Sequence, residues 1–401
     1  MDKGDLGLGP QTSGVPPSDH VIDWYRTPLP KELNVRLHER SDLRGAAQTL
    51  GFLAVLLGSG GAALHFSATP HHAATAAFAL LYGLVANFLI NGMHELGHGT
   101  VFRTPLLNAL FLRVFSFLGW LHPDMFFSSH LRHHRFTQNA PHDLENPMPI
   151  VLTARGFLLF GFVNFWGFGE ALGQTLRAAL GAFPTGHLGW LPEWEETCYP
   201  AALPRARAPA QRWAAFMLCG HAALAAASLA RGCWLLPFLV SCGPFYNGWL
   251  FWLCNSTQHV GMQPGKADFR LNTRTFYLHP VLGFFYWHMN YHSALCVWRL
   301  GSPGALGGHA LGTLSPLPLL PPPPQIPYPH QIARARAAEH HMYANVPCYY
   351  LAELHQAIKH DLPHTPSGLV EVWQVIGEVM KKQALDKGAT CDIVLPAKKD
   401  S

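Results

Sequence analysis

Long apolar blocks, separated by polar stretches, dominate the pattern along the chain. Four of them, residues 46–66, 73–90, 213–229 and 233–253, reach the roughly 20 residues (range about 17 to 25) that a helix needs to cross a bilayer core. They form two close pairs. No Lys or Arg lies between Arg44 and Arg103, so the first pair has an uncharged link, and the second pair is joined by little more than Arg231. The polar stretch ahead of the first pair holds Arg26, Lys31, Arg36, Arg40 and Arg44. The long middle stretch holds Arg103, Arg113, Arg132, Arg135, Arg155, Arg177, Arg205 and Arg207. Basic residues favour the cytosolic side, which places both stretches and both chain termini in the cytosol. The fourth block contains Pro237, Gly243, Pro244, Asn247 and Gly248. Its freed backbone groups need protein partners, so a kinked, buried helix is expected. Residues 105–121 and 150–169 are apolar but carry Arg113 and Arg155 near their centres, and are read as interfacial helices on the cytosolic surface. Near the C-terminus, Leu369, Val372, Trp373, Ile376 and Val379 follow the spacing of an amphipathic packing helix. The pattern predicts an all-α membrane protein with four transmembrane helices.

Composition sharpens this picture. Of 401 residues, 49% are hydrophobic and only 13% charged, about half the usual charged share. That excludes an ordinary cytosolic enzyme and a disordered chain. The 28 basic and 24 acidic residues leave a net charge of +4, so no nucleic-acid partner is implied. Cys198, Cys219, Cys233, Cys242, Cys254, Cys296, Cys348 and Cys391 show no CxxC spacing, and no disulfide framework follows. Histidine is the unusual count: 25 imidazoles exceed the carboxylates, and imidazole is the commonest metal ligand.

The histidines fall in three clusters. His94 and His98, in NGMHELGH, sit four apart on one helix face where the second block should emerge into the cytosol. The same spacing occurs in HExxH zinc proteases, with Glu95 at the base position, but a catalytic zinc needs three protein ligands and this chain offers many more. His130, His133 and His134 form an HxxHH array that crowds one small volume, and Asp143 and Glu145 downstream are candidate partners for the ligand N–H groups. The third cluster begins with Asn255 and His259 after the fourth block, continues through His288 and His292, and resumes at Glu339-His340-His341. Each cluster lies beside a membrane block on the predicted cytosolic side, so one site is implied. Nine imidazoles, His94, His98, His130, His133, His134, His259, His292, His340 and His341, exceed the demand of one metal and suit two. Zn, Cu, Fe and Ni all accept imidazole, and an open site suited to oxygen chemistry favours iron.

The boxes HELGH, HLRHH and an interrupted HxEHH, with NSTQH before the third, resemble those of the integral-membrane fatty acid desaturase superfamily over residues 83–377. The resemblance implies a mushroom-shaped protein with a cytosolic helical cap holding a di-iron site. The nine histidines would be ligands, Asn255 would bind one iron through water, and no catalytic residue is needed beyond the metal centre. It further implies a desaturase that uses O2 as co-substrate and draws electrons from cytochrome b5 or a ferredoxin, since no HPGG haem motif is fused to the chain. The substrate would be a lipid acyl chain. His292 stands where front-end desaturases have Gln, which brings the third box closer to sphingolipid-type and bacterial-type members. Hydroxylases and ketolases share the scaffold and remain alternatives, as does a non-catalytic relic with a broken third box.

The chain departs from the family pattern in its third box. Residues 293–338, which include PLPLLPPPPQIPYP, separate His292 from His340 and His341. Pyrimidine-rich codons specify Pro, Leu and Ser, so a translated intron is one reading and a Pro-rich linker the other. The organisation expected is a cytosolic segment 1–45, a desaturase domain 46–292 and 339–386, the insertion 293–338, and a tail 387–401. The tail ends in Lys398-Lys399-Asp400-Ser401, which fits a dilysine signal of endoplasmic-reticulum membrane proteins.

Overall fold

The computed structural model describes residues 22–139, 142, 143, 145, 150, 152, 154–183, 199, 204–291 and 341–397. Among these residues the chain is helical, with two isolated bridges and no strand. The insertion, His292, His340, the first 21 residues and the dilysine tail lie outside them.

Helix α1 (Lys31–Leu37) leads into α2 (Asp42–Ser67), whose first turn is capped by the Ser41 hydroxyl accepting from the Arg44 N–H. A tight turn returns the chain as α3 (His72–Ala86) and α4 (Leu89–Gly97), which run on as one 26-residue apolar segment. At about 1.5 Å per residue, both 26-residue segments are long enough to cross a bilayer core. The second continues past the predicted end at residue 90 and so carries His94 on the same rod. Helices α5 (Pro105–Leu118) and α6 (Pro123–Phe136) follow, bent against each other by 106°.

The helical corner between α5 and α6 changes the expected picture of a separate interfacial helix at residues 105–121. Arg113 pairs with Asp124 at 2.9 Å and lies over the Trp213 ring, so its charge is met inside the protein. Together α5 and α6 form either a broken span or a re-entrant loop by length and apolarity. Residues 150–169 likewise divide, into α7 (Ala154–Gly161) and the start of α8 (Phe165–Ala179).

The third expected span falls inside α9 (Pro204–Leu229), which opens with Arg205 and Arg207. The fourth is broken as expected: α10 (Leu235–Cys242), a 3-10 turn at Gly243–Phe245, and α11 (Trp249–Asn255). Its loosened backbone finds protein partners: Asn164 N–H donates to Phe245 O and Asn247 N–H to Phe162 O, each at 2.7 Å, and Asn87 Nδ2 at the end of α3 donates to Tyr246 O at 2.9 Å. These bonds replace the partners a lipid environment cannot supply. In all, two helical segments among the described residues are long and apolar enough to cross a membrane, or three if the bent α5–α6 pair is one span.

Beyond α11 the chain continues as α12 (Phe269–Asn272), α13 (Pro280–Phe285), α14 (Leu351–Ile358) and α15 (Leu369–Leu385). Helix α15 buries Val372, Ile376 and Val379, and Trp373 Nε1 donates to Leu253 O at 3.0 Å, so the amphipathic segment packs on the end of α11. One hydrophobic core runs from Phe52 and Leu56 of α2 through Met93 and Trp287 to Leu354 and Ile376.

Candidate metal centre

The first histidine group depends on how closely α4 and α6 approach. Gly97 makes this possible, because a Cβ there would lie 1.9 Å from the Phe127 ring. Gly99, at φ +68°, then ends the helix in a conformation that favours glycine. Across the gap His94, His98, His130 and His134 are all buried, with one ligand nitrogen of each within 4.8 Å of the others. Ring centroids are 4.5 Å apart for His94 and His130 and 4.3 Å for His130 and His134. His94 and His98 share one helix face at a spacing of four, and so do His130 and His134 on theirs.

His133 takes a different direction. One residue before His134, it points about 100° around α6 and meets His259 and His341 in a second buried group. The HxxHH array is therefore shared: two imidazoles face one group and the third faces the other. The groups are adjacent, with the His134 and His341 rings 4.4 Å apart.

The hydrogen bonds settle which nitrogen each ring presents. His133 Nδ1–H donates to Asp143 at 2.9 Å and His130 Nδ1–H to Glu145 at 3.1 Å. His94 Nδ1–H donates to Glu95 at 2.9 Å. Thr137 spends its hydroxyl proton on His133 O, so its oxygen accepts from His341 Nδ1–H at 2.9 Å. His259 Nδ1–H donates to Asn272 O at 2.9 Å, which also receives Gln138 Nε2. In all five rings Nδ1 holds the proton and Nε2 offers its lone pair, the arrangement that a hydrogen-bond acceptor behind the ring imposes on metal-binding histidines. Within the first group His94 Nε2 stands 3.2 Å from His98 Nε2, and His130 Nε2 stands 2.8 Å from His134 Nε2.

Burial and neighbouring charges set the protonation of His259 and of Asp143 in the second group. Burial first, and His133 next, push the His259 imidazole down to about 3. Burial raises Asp143, but His133 and the backbone N–H groups of Gln138 and Glu145 outweigh it and hold the carboxyl below its ordinary value. His259 Nε2 and Asn255 Oδ1 are both buried without a hydrogen-bond partner. A cation is the partner such acceptors lack, so the donor set fits two imidazole-bound metal ions.

Of the ten residues singled out in the sequence, seven histidines gather in these two groups, and Asn255 is buried at the end of α11. His292 and His340 lie outside the described residues. Asp143 and Glu145 hold the rings they were expected to hold. Sequence reasoning missed Thr137, Gln138 and Asn272, polar residues whose role arises only through long-range contacts.

The sequence profile described as fatty acid desaturase matches residues 70–294, more than half of the chain. The chain belongs to the fatty acid desaturase family. The matched stretch contains the first two histidine boxes and His259, and it ends two residues beyond His292, where the third box is interrupted. Comparison with curated proteins returned no match.

Proposed function

We propose that this fatty acid desaturase family member is a membrane-bound, O2-dependent lipid desaturase that works through two histidine-held irons. Four spans would support the cap, with α9 and the broken α10–α11 run as the second pair and both termini in the cytosol of the endoplasmic reticulum. The observation that carries the reading is the pair of adjacent buried histidine groups whose Nδ1 protons are held by protein acceptors. His94, His98, His130 and His134 would hold one iron. His133, His259 and His341 would hold the other, with His292, His340 and water-linked Asn255 completing the set.

When bound, the iron pair would supply the oxidising chemistry: two hydrogens leave adjacent carbons, O2 becomes two waters, a carrier contributes two electrons, and water contributes two protons. The chain's own residues do the rest. Glu95, Glu145, Asp143 and Thr137 fix ring orientation, and burial of all seven imidazoles excludes bulk water. A cavity of about 70 Å³ lies beside α4, lined mostly by apolar residues, among them Ile90, Trp120, Leu121, Phe251 and Trp252, with Asn87 and Asn164. Ile90 stands one turn before His94, about 6 Å along the helix axis, so the cavity approaches the first histidine group. The joining of His341 to His133 and His259 across the insertion favours a working enzyme over a relic.

Lipid profiling of a desaturase-deficient host tests this, using the full chain, a form lacking residues 294–338, and His133→Ala controls. A new unsaturated product that the control abolishes is expected. A hydroxylated product instead would transfer the chain to the hydroxylase reading, and product unaffected by His133→Ala would sink the metal assignment.

A further inference from the structure

One side chain of the N-terminal segment stands one contact away from each histidine group. Trp24, partly exposed, stacks on Phe269 with ring centroids 4.0 Å apart and 11° between planes. Phe269 is fully buried, and its ring lies 5.3 Å from that of His341. On its other side the Trp24 indole N–H donates to Arg135 O at 3.0 Å, the carbonyl directly after His134 in α6. The segment is firmly held. Tyr25 N–H donates to Ala267 O, its hydroxyl donates to Asp361 at 2.6 Å, and the Arg270 guanidinium covers its ring at 3.9 Å. Arg270 in turn is clasped by Asp268 and Asp361.

The proposed reaction consumes electrons that a separate protein delivers, yet all seven described imidazoles are buried. A carrier cannot touch them, so each electron must cross protein. Electronic coupling falls steeply with every gap, so a chain of ring and hydrogen-bond contacts carries an electron best, without any of its members being oxidised or reduced. Trp24 combines contact with solvent, a ring stack leading to His341, and a hydrogen bond leading to His134.

We infer that Trp24 is the entry point for electrons from a one-electron carrier protein, passing by Phe269 to His341 and by the Arg135 carbonyl to His134; this rests on the iron-dependent reading above. In each transfer the carrier loses one electron and the metal centre gains one, no covalent bond forms or breaks, and two transfers meet the demand of one turnover.

The test is anaerobic stopped-flow reduction of the iron-loaded full chain in lipid nanodiscs. The donor is whichever of reduced cytochrome b5 and reduced ferredoxin reduces the unaltered protein, with dithionite in parallel. Trp24→Ala and Trp24→Phe are compared, the latter keeping a ring on Phe269 without the indole. The expected result is a slowing of the protein-driven reduction by about tenfold or more in both variants, with the dithionite rate and iron per chain unchanged. Unchanged protein-driven rates with full iron would overturn the inference. So would loss of iron in Trp24→Ala beside a normal rate in Trp24→Phe, which would make Trp24 a packing residue. An unaltered chain that binds no iron, or that neither carrier reduces, would overturn the reading on which the inference rests.

Discussion

The two histidine groups sit side by side yet are built by opposite means. His94, His98, His130 and His134 come from two helices that are near neighbours in sequence, each contributing a pair four residues apart. His133, His259 and His341 come from three segments separated by more than 80 residues at each step. The first group is preorganised by helix geometry and the second by tertiary assembly. Its supporting contacts follow the same division: Glu95 adjoins His94 directly, whereas Thr137 reaches His341 across 204 residues. The first group should therefore take metal more readily and release it last.

The largest blow to this comparison is Gly97→Ala. A methyl 1.9 Å from the Phe127 ring must push α6 from α4, and overpacking of this kind costs about 1 to 3 kcal/mol. Because α6 carries histidines of both groups, metal content should fall at both and the thermal midpoint in detergent should drop. Retention of two irons per chain would show that the close approach is dispensable.

Asp143→Asn separates the groups. It removes the carboxylate that fixes His133, and loss of such an outer partner lowers metal affinity by about 10- to 100-fold. Chelator titration should show one metal leaving early and the first-group metal unmoved. Thr137→Val should act in the same direction but more weakly, roughly tenfold, since a neutral hydroxyl orients His341 less firmly than a carboxylate orients His133. Equal release from both groups in either variant would erase the proposed difference.

The smallest effect lies outside both groups and serves as a control. The backbone N–H of Ser367 above all, with His364 and the Ser367 hydroxyl, holds the exposed Glu371 carboxyl down to about 2. A carboxyl depressed in the folded chain adds stability above its ordinary value of 4.5, and that contribution is lost as pH falls from there toward 2. Glu371→Gln should flatten the acid dependence of unfolding in that window while metal content at neutral pH stays unchanged.

Much of this division was legible in the chain. Spacing paired His94 with His98, because a spacing of four is a property of any α-helix, but it also set His130, His133 and His134 together on one face, and the structure keeps only His130 with His134. The apolar blocks foretold α2, the α3–α4 run and the break at Gly243–Pro244. The sequence offered no sign that His133 would turn away from its neighbours, nor that α5 would fold back on α6 through Arg113 and Asp124. Periodicity describes a helix but not what stands opposite each face.

By itself, then, the sequence determined the helical class, the apolar segments and the identity of the histidines, since these follow from local periodicity and side-chain chemistry. Tertiary structure alone decided how the histidines divide into two groups, which nitrogen each ring presents, and how Trp24 comes to stand one contact away from them. Those outcomes depend on Thr137, Gln138, Asn272 and Phe269 meeting partners far away in the chain, Phe269 standing between Trp24 and His341, and such contacts exist only once the helices have packed.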